Sequence, residues 1–600
     1  MLVWYIIFNN KRLLPLHTHH TKCMANKNND AFEIEKSNRQ MSNTKIGKGG
    51  WHVVFYCLLV LMLCASCHDD AQIIIVNEES VCYAQLDDTT LFVHPFVHEG
   101  QRYVVAPSYW DMQKLAVVKG ENKADVKVVK SKLPTIFIRT ESGSMDHINA
   151  SKKNEEAGHI IVVDTLGIVE YDGELESMHG RGNWTWWQNK KPYTIKLANK
   201  VKMLGLKKAK KFSLLSEVGD PTGLRNWMAL SAAKQMGLND QMEFSYANVY
   251  LNGNYAGCYL VTNKIDRKPR HDFLLEIDIH APGKEDAAFP LTHRCYMTIK
   301  KPKHSTAGQL AYIEKEWRKV KEALSGRVAG NGANPIDSLI DMDTFVSNYL
   351  CQEVFKNMDA GFASFYLGKD SLGRFYADPL WDMDMTMSSP SSTLFGHDLC
   401  RVIYAGAGFS PDSTGYAGIW GMLYKNSAFR HQVSSAYFSS MKPILQELFW
   451  GDTWTSIHSY LAADMEMDNL RWRNGAGFES QCDQMRHWME EKLRYLDDAW
   501  NEDAEVSKCI VTLRNSTRHP LLYVVPKNTK FSEQLPGFDT VRVLDTGYEY
   551  TFLGYEIDGY PVDLDTLVVR NDITICGRWK QTQTPSLLRR LRLWFWNLRH

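Results

Sequence analysis

The sequence predicts an α+β protein whose strands and helices are sorted into successive regions along the chain. Between about 133 and 300, strand-forming runs such as TIFIRT and HIIVVDTLGIVEY surround one amphipathic helical stretch. Between about 301 and 500 the apolar spacing turns helical. It is clearest in QCDQMRHWMEEKLRYLDDAW, where Met485, Trp488, Met489, Leu493 and Leu496 form one stripe. From 508 to 580 short β-type runs return. The expected layout is a mixed α/β lobe (131–300), a mainly helical lobe (301–500) and a β module. A chain of 600 residues exceeds one ordinary core, so roughly two to four compact units are expected.

The N-terminus reads as an address. Residues 51–66, WHVVFYCLLVLMLCAS, form an apolar stretch preceded by Lys45 and Lys48 and closed by small residues before Cys67. That is the layout of an export signal, and it is short for a membrane span, which needs ~20 apolar residues. Leu63-Cys64-Ala65-Ser66-Cys67 resembles a bacterial lipoprotein signal, which implies Cys67 as the lipid-bearing residue. The following His68-Asp69-Asp70 resembles the surface-export tags of Bacteroidota lipoproteins. An outer-membrane or cell-surface location follows from that resemblance, with an uncleaved anchor as the alternative. Residues 1–40 are polar and Asn/Lys/His-rich, and Met41 makes a more natural start. Residues 1–67 are therefore set apart as a leader.

Residues 71–130 read as a short β lead-in (IIIVN, TLFVH, YVVA). Asp220-Pro221-Thr222 offers a helix start for GLRNWMALSAAKQMGL, with Leu224, Trp227, Met228 and Leu230 apolar and Gly237 as the stop. NVYLNGNYAGCYLV reads as a hairpin about Asn252-Gly253. Asp341 or Asp343 caps the helix DTFVSNYLCQEVFKN. Residues 585–600, with 69 basic against 69 acidic residues in the whole chain, form the one local basic excess. That tail suits either an amphipathic helix on an anionic surface or docking on its own domain. A formal charge of zero excludes a general nucleic-acid binder. Eight cysteines follow Cys67, scattered and with no C-x-x-C pair, which argues against a zinc site.

Residues 380–385, LWDMDM, set two carboxylates among large apolar side chains. Carboxylates are almost never fully buried unless paired or holding a metal. Upstream, SFYLGKDSLGRFYADPLWDMD holds two strand-like runs around a turn at Ser371. Folding that hairpin brings Asp359, in the loop KNMDAG, and Asp382 to the same open end. Asp359 can then accept a proton from a hydroxyl. Asp382 and Asp384 can offer hard oxygens to Mg²⁺. The plainer role for the same residues is a turn cap and two ion-paired structural acids.

In HGRGN, two glycines flank Arg181, and backbone amides there could cradle an anion. In PYTIKL, Tyr193, Ile195 and Leu197 share one strand face, which leaves Thr194 and Lys196 on the other. Lys196 is thus the strand lysine best placed to reach a nucleotide. Trp184, Trp186 and Trp187 read as packing residues in preference to a base-stacking platform.

The ordered blocks RGNWTWWQNKKPYTIKL, LLSEVGDPTGLRNWMALSAAKQMGL, NVYLNGNYAGCYLV, LLEIDIH, NMDAGFASFYL and PLWDMDM resemble those of the CotH (spore coat protein H) kinase family. The resemblance runs from about 130 to 500. It implies an atypical, two-lobed protein-kinase-like fold and transfer of the γ-phosphoryl of ATP, with Mg²⁺ or Mn²⁺, to Ser or Thr of an exported protein. It also implies Asp359 as the catalytic acid, Asp382 as the metal-binding acid and Asp384 as the second acid of W-D-x-D. Arg181, Lys196 and Arg225 match basic positions near the nucleotide. Two positions depart from the family pattern. Ser364 stands where an Asn helps hold metal, and Asn263 stands where a Glu pairs with the lysine. Asp384, Glu276 or Asp278 could cover these changes. A catalytically inactive surface protein, used for adhesion or assembly, stays open as an alternative. So does a glycan hydrolase with Asp359 and Asp382 as its acid pair.

Residues 508–580 contain YTFLGYEIDGYPVDLDTLVVRNDITICGRWK, which resembles a Listeria–Bacteroides (internalin-B-type) repeat. That likeness implies a small β-grasp-like binding or spacer module, with Cys509 and Cys576 near its ends as candidates for a staple.

Overall fold

The structure is a computed structural model. It describes residues 82–86, 89–109, 126–238, 242–263, 265, 271–281, 287–292, 294–324, 335–357, 359–361, 363–387, 400, 403, 418–473, 477–501, 507–514, 521–531, 541–543 and 549–583. The leader with Cys67, the run IIIVN and the basic tail lie outside the described residues. Residues 72–600 form one compact unit.

The lead-in begins with a ribbon of β1 (Cys82–Leu86) and β2 (Thr89–Val93). A three-stranded sheet of β3 (Phe96–His98), β4 (Gln101–Ala106) and β5 (Val126–Lys130) follows. That sheet lies against the next element instead of standing apart. Phe96, Val104 and Val105 pack with Phe137, Ile161, Tyr250 and Tyr255 from its outer face.

That next element is a closed barrel. Its strands are β6 (Thr135–Thr140), β7 (Glu155–Val163), β8 (Val169–Gly180), β9 (Tyr193–Val201), β10 (Ala209–Leu215), β11 (Phe244–Leu251) and β12 (Asn254–Asn263). The short helix α1 (Asp146–Ala150) and the helix α2 (Arg225–Gln235) interrupt them. Around the barrel the order is β10-β12-β11-β6-β7-β8-β9. Closure depends on one parallel pairing, Thr135–Ile138 beside Asn248–Leu251. Closing a sheet on itself removes its exposed edges. The β9 residues Tyr193, Ile195 and Leu197 point into the barrel core, and Thr194 and Lys196 do not, as the alternation predicts. The β11–β12 hairpin turns at Asn252 and Gly253, both at positive φ (51° and 82°), as an Asn-Gly turn requires.

Helix α2 starts where the sequence predicts, and its start is fastened by side chains. Asp220 accepts hydrogen bonds from the Thr222 amide (2.9 Å) and hydroxyl (2.7 Å) and from the Arg225 amide (2.8 Å). Gly237, at φ 81°, follows its last turn as the expected stop.

A five-stranded sheet combines β13 (His271–Asp278), β14 (Ala288–Pro290) and β15 (Tyr296–Lys301) with β16 (Phe365–Asp370) and β17 (Phe375–Tyr376). Strand β13 pairs with β15 on one side and β16 on the other. One sheet therefore spans the boundary expected at 300, because the β13–β16 pairing closes over two intervening helices. These are α3 (Ala307–Leu324) and α4 (Met342–Val354). Asp341 caps α4, accepting from the Thr344 amide at 3.4 Å. The helices α5 (Ile419–Tyr424), α6 (Ser427–Ala436), α7 (Lys442–Trp450), α8 (Asp452–Trp472) and α9 (Phe478–Trp500) complete the central core. On α9 the predicted stripe from Met485 to Leu496 is buried. Among the described residues no helix is long and apolar enough to cross a membrane.

The C-terminal module holds β18 (Lys508–Arg514), β19 (Leu521–Pro526), β20 (Thr529–Lys530), β21 (Val541–Val543), β22 (Glu549–Ile557), β23 (Tyr560–Val562), β24 (Val568–Val569) and β25 (Ile573–Gln583) around a core of its own. It rests on α9, where the Tyr495 hydroxyl accepts from the Val524 amide at 3.1 Å. The expected Cys509–Cys576 staple is absent: both thiols are free. Cys576 lies opposite Arg514 on β18, five residues from Cys509, roughly 16 Å along the strand. A disulfide needs Cα atoms within about 7 Å. The overall architecture is α+β.

Candidate active site

The hairpin β16–β17 reverses near Ser371 and pairs Gly368 with Tyr376 and Lys369 with Phe375. It carries Asp359 and Asp382 to its open end, as the spacing predicts. The chain leaves α4 through Lys356, at φ 55°, and enters the loop that bears Asp359. Asn357 fastens that loop in two directions. Its Oδ1 accepts from the Asp359 amide (3.0 Å), and its Nδ2 points to the Met383 sulfur (3.2 Å). The Met387 amide donates to the Phe355 carbonyl at 2.9 Å, so the end of α4 and segment 381–387 are joined again. From the opposite side α2 holds the same segment. Asn226 Oδ1 accepts from the Met383 amide (2.7 Å), and Arg225 Nε donates to the Thr386 carbonyl (3.0 Å).

The acids lie in one electrostatic neighbourhood. Asp382 is exposed and accepts from the Ser364 hydroxyl at 2.9 Å. Both residues occupy the left-handed region, Ser364 at φ 50° and Asp382 at φ 62°. Such conformations cost of order 1–3 kcal/mol each and cluster at functional sites. Asp359 is half-buried. Burial first, then the charges of Asp382 and Asp278, raise its pKa to about 7. Asp384 is buried, and burial, Asp382, Asp359 and Asp220 push its pKa well above the usual carboxylate range. Like charges crowded together disfavour ionisation of each.

The sequence reading missed Glu217. It is buried at φ 50°, and burial, Asp384 and Asp220 drive its pKa well upward against two hydrogen bonds from Asn226 Nδ2 (3.0 and 3.1 Å). A signal was present: in LLSEVGDP a lone Glu follows an apolar strand just before a turn. Tyr366, on β16, also borders the group. It hydrogen-bonds Glu276 on the facing strand and interacts with Asp382 and Arg181.

The basic candidates divide. Arg181 faces the acids. Asp382, Tyr366 and Asp384 oppose the lowering of its pKa by burial, and its guanidinium lies 5.5 Å from the centre of the Trp381 ring. Arg225, expected near a nucleotide, is a structural clasp instead: it is 2% exposed and paired with Asp220, with its Nε on the Thr386 carbonyl. Lys196 is ion-paired with Glu176 on β8, whose other oxygen holds Lys210 at 2.8 Å. Arg181 is a cation whose charge interacts with those of Asp382 and Asp384. Of the three tryptophans, Trp186 is buried against Gly180, as packing predicts. Trp187 is not packed: it is 79% exposed, against 38% for Trp184.

Among the described residues no three His, Cys, Asp or Glu side chains are drawn together tightly enough to enclose a metal ion. The donor chemistry nevertheless suits a hard divalent cation. Asp382, Asp384 and the Ser364 hydroxyl offer oxygen alone, and mutually repelling carboxylates gain most from a cation.

A family model for CotH kinase protein matches residues 178–496, just over half of the chain. The match opens within β8 and closes within α9, so it contains every acid and base of the site. No curated protein matches the chain. The ordered blocks, the hairpin that joins Asp359 to Asp382, and the extent of this match together place the chain in the CotH kinase family.

Proposed function

We propose that the chain is an exported, lipid-anchored kinase that transfers the γ-phosphoryl group of ATP to a Ser or Thr hydroxyl of an exported protein. The observation that carries this reading is the meeting of Asp359, Asp382 and Asp384 beside Arg181. Asp359, with its pKa raised to about 7, is suited to orient an acceptor hydroxyl and take its proton as the O–P bond forms. Asp382 and Asp384, with Ser364, would hold Mg²⁺ or Mn²⁺. A bound Mg·ATP would supply the phosphoryl group and neutralise the charge that develops on it. Arg181 faces the same space and would steady phosphate oxygens. Export, anchoring through Cys67 and an outer-membrane or surface location rest on the leader sequence alone.

The test is labelled ATP with Mg²⁺ or Mn²⁺ and a generic acceptor protein, run beside Asp359→Asn and Asp382→Asn. Label transfer lost in both variants supports the kinase. A second reading, an inactive surface protein for adhesion or assembly, draws on Ser364 in the position of a family Asn and on its hydroxyl already bonded to Asp382. Failure of ATP to shift the unfolding temperature with either metal would decide for it.

A further inference from the structure

The loop that bears Asp359 begins at the end of α4, and that end is closed in an unfavourable way. The Lys356 amide donates to the Glu353 carbonyl (3.3 Å), and the Asn357 amide donates to the Gln352 carbonyl (3.0 Å). This pair of bonds is a Schellman motif, which puts Lys356 in the left-handed region, at φ 55°. Glycine fills that position without steric cost, and a residue with a β-carbon does not. A lysine kept there is kept for its side chain.

That side chain turns inward. Lys356 is 4% exposed, and its Nζ donates to Glu353 Oε1 at 2.6 Å. Lys492 of α9, fully buried, donates to the same oxygen at 2.7 Å. Glu353 is fully buried as well, so one carboxylate joins α4, α9 and the root of the loop. Buried charges are a poor way to gain stability, because desolvation offsets much of their attraction. What three of them supply here is a fixed direction for the chain that leaves the helix. From Lys356 the constraint runs three residues to Asp359, through Asn357, whose side chain accepts from the Asp359 amide at 3.0 Å. The segment with Asp382 and Asp384 has a hold of its own, from Asn226 and Arg225 on α2.

We propose that Glu353, Lys356 and Lys492 are positioning residues for Asp359: their shared contact sets where its carboxylate stands against the acceptor hydroxyl. This rests on the phosphoryl-transfer reading above and adds to it what holds the proton acceptor in place. A displacement of ~1 Å at a reacting group can cost about 10²-fold in rate, so the three act on turnover through Asp359 without touching nucleotide or acceptor.

The experiment measures labelled transfer from Mg·ATP to dephosphorylated casein by the full mature chain, with Mg·ATP affinity taken separately by calorimetry. The variants are Lys356→Met, Lys356→Gly, Lys492→Met, Asp359→Asn and the double Lys356→Gly/Asp359→Asn. Each lysine variant leaves Glu353 one cation, and Lys356→Gly also suits the left-handed position, so it stays informative where Lys356→Met unfolds. Assays run below each unfolding temperature, so that folded protein is compared with folded protein. The expected result is a fall in kcat of about tenfold or more in the lysine variants, with Mg·ATP affinity within about twofold of wild type. The double variant should be no slower than Asp359→Asn alone, because both changes act through one carboxylate. Wild-type kcat in the folded lysine variants would overturn the proposal and leave the three residues a joint of the fold. Parallel losses of kcat and ATP affinity, or losses that multiply in the double variant, would also overturn it, since the contact would then support the cleft at large. If wild type transfers no label, the phosphoryl-transfer reading fails and the positioning role falls with it.

Discussion

Two charge clusters of this molecule are built on opposite plans. At one, Lys190 and Asp468 are fully buried and meet at 2.6 Å. Arg473 holds the second Asp468 oxygen at 2.5 Å, and the Cys258 amide and carbonyl take the remaining directions. Every charge there has an opposite charge and a hydrogen bond. At the other, Asp359, Asp382, Asp384 and Glu217 crowd together, Asp220 is already taken by Arg225, Arg181 faces Asp382 and Asp384, and Lys190 reaches Glu217 only through its charge. A saturated cluster is a joint. A cluster short of positive charge is a place where a cation or a proton must enter. Burial alone does not separate the two, whereas the balance of charge does.

The largest expected effect lies in the open cluster. Asp359→Asn should lower labelled phosphate transfer by about 10²–10⁴-fold while leaving the chain folded. Transfer within a few-fold of wild type would remove Asp359 from the chemistry and blur the contrast. Next comes the closed cluster. Lys190→Met leaves Asp468 buried beside one cation fewer and should cost about 3–5 kcal/mol in urea unfolding.

A third test uses pH. A carboxyl whose pKa is about 7 folded and ~3.9 unfolded holds its proton more tightly in the folded chain. Stability then falls as pH rises from about 4 through about 7. Asp359→Asn should cancel that slope, stabilising the chain at pH 8 by at most ~4 kcal/mol, less where water screens, and by nothing at pH 4. A flat difference across this range would mean that the open cluster is not short of positive charge. The smallest effect belongs to the half-exposed pair Lys196–Glu176. Lys196→Met should change stability by less than about 1 kcal/mol, and a larger loss would place Lys196 in a joint of its own.

What the sequence could reveal follows the distance over which each feature is specified. The hairpin that joins Asp359 to Asp382 is local, and its register can be counted from Ser371. The helix stop at Gly237 and the Asn252-Gly253 turn are equally local. Barrel closure is not, because it depends on residues 135–138 finding residues 248–251 more than a hundred positions away. The same holds for β13 against β16, which carries one sheet past residue 300. The clasp of Arg225 with Asp220 and with the Thr386 carbonyl has no signature in the sequence, because that carbonyl lies 161 residues away. Trp187 escapes the packing that a run of three tryptophans suggests, because the 3₁₀ turn puts Trp186 inward and leaves Trp187 outside.

Helix α8 links these observations. Asp464 and Asp468 are bonded to the barrel through Asn248 and Cys258. Asn469 and Arg473, one turn further on, grip the carbonyls of Pro221, Val218 and Glu217. A single rigid rod thus rivets the barrel to the loop that floors the acidic cleft. Because α2 begins at the end of that loop and grips Met383 and Thr386, the same rod fixes at second hand the segment that carries Asp382 and Asp384.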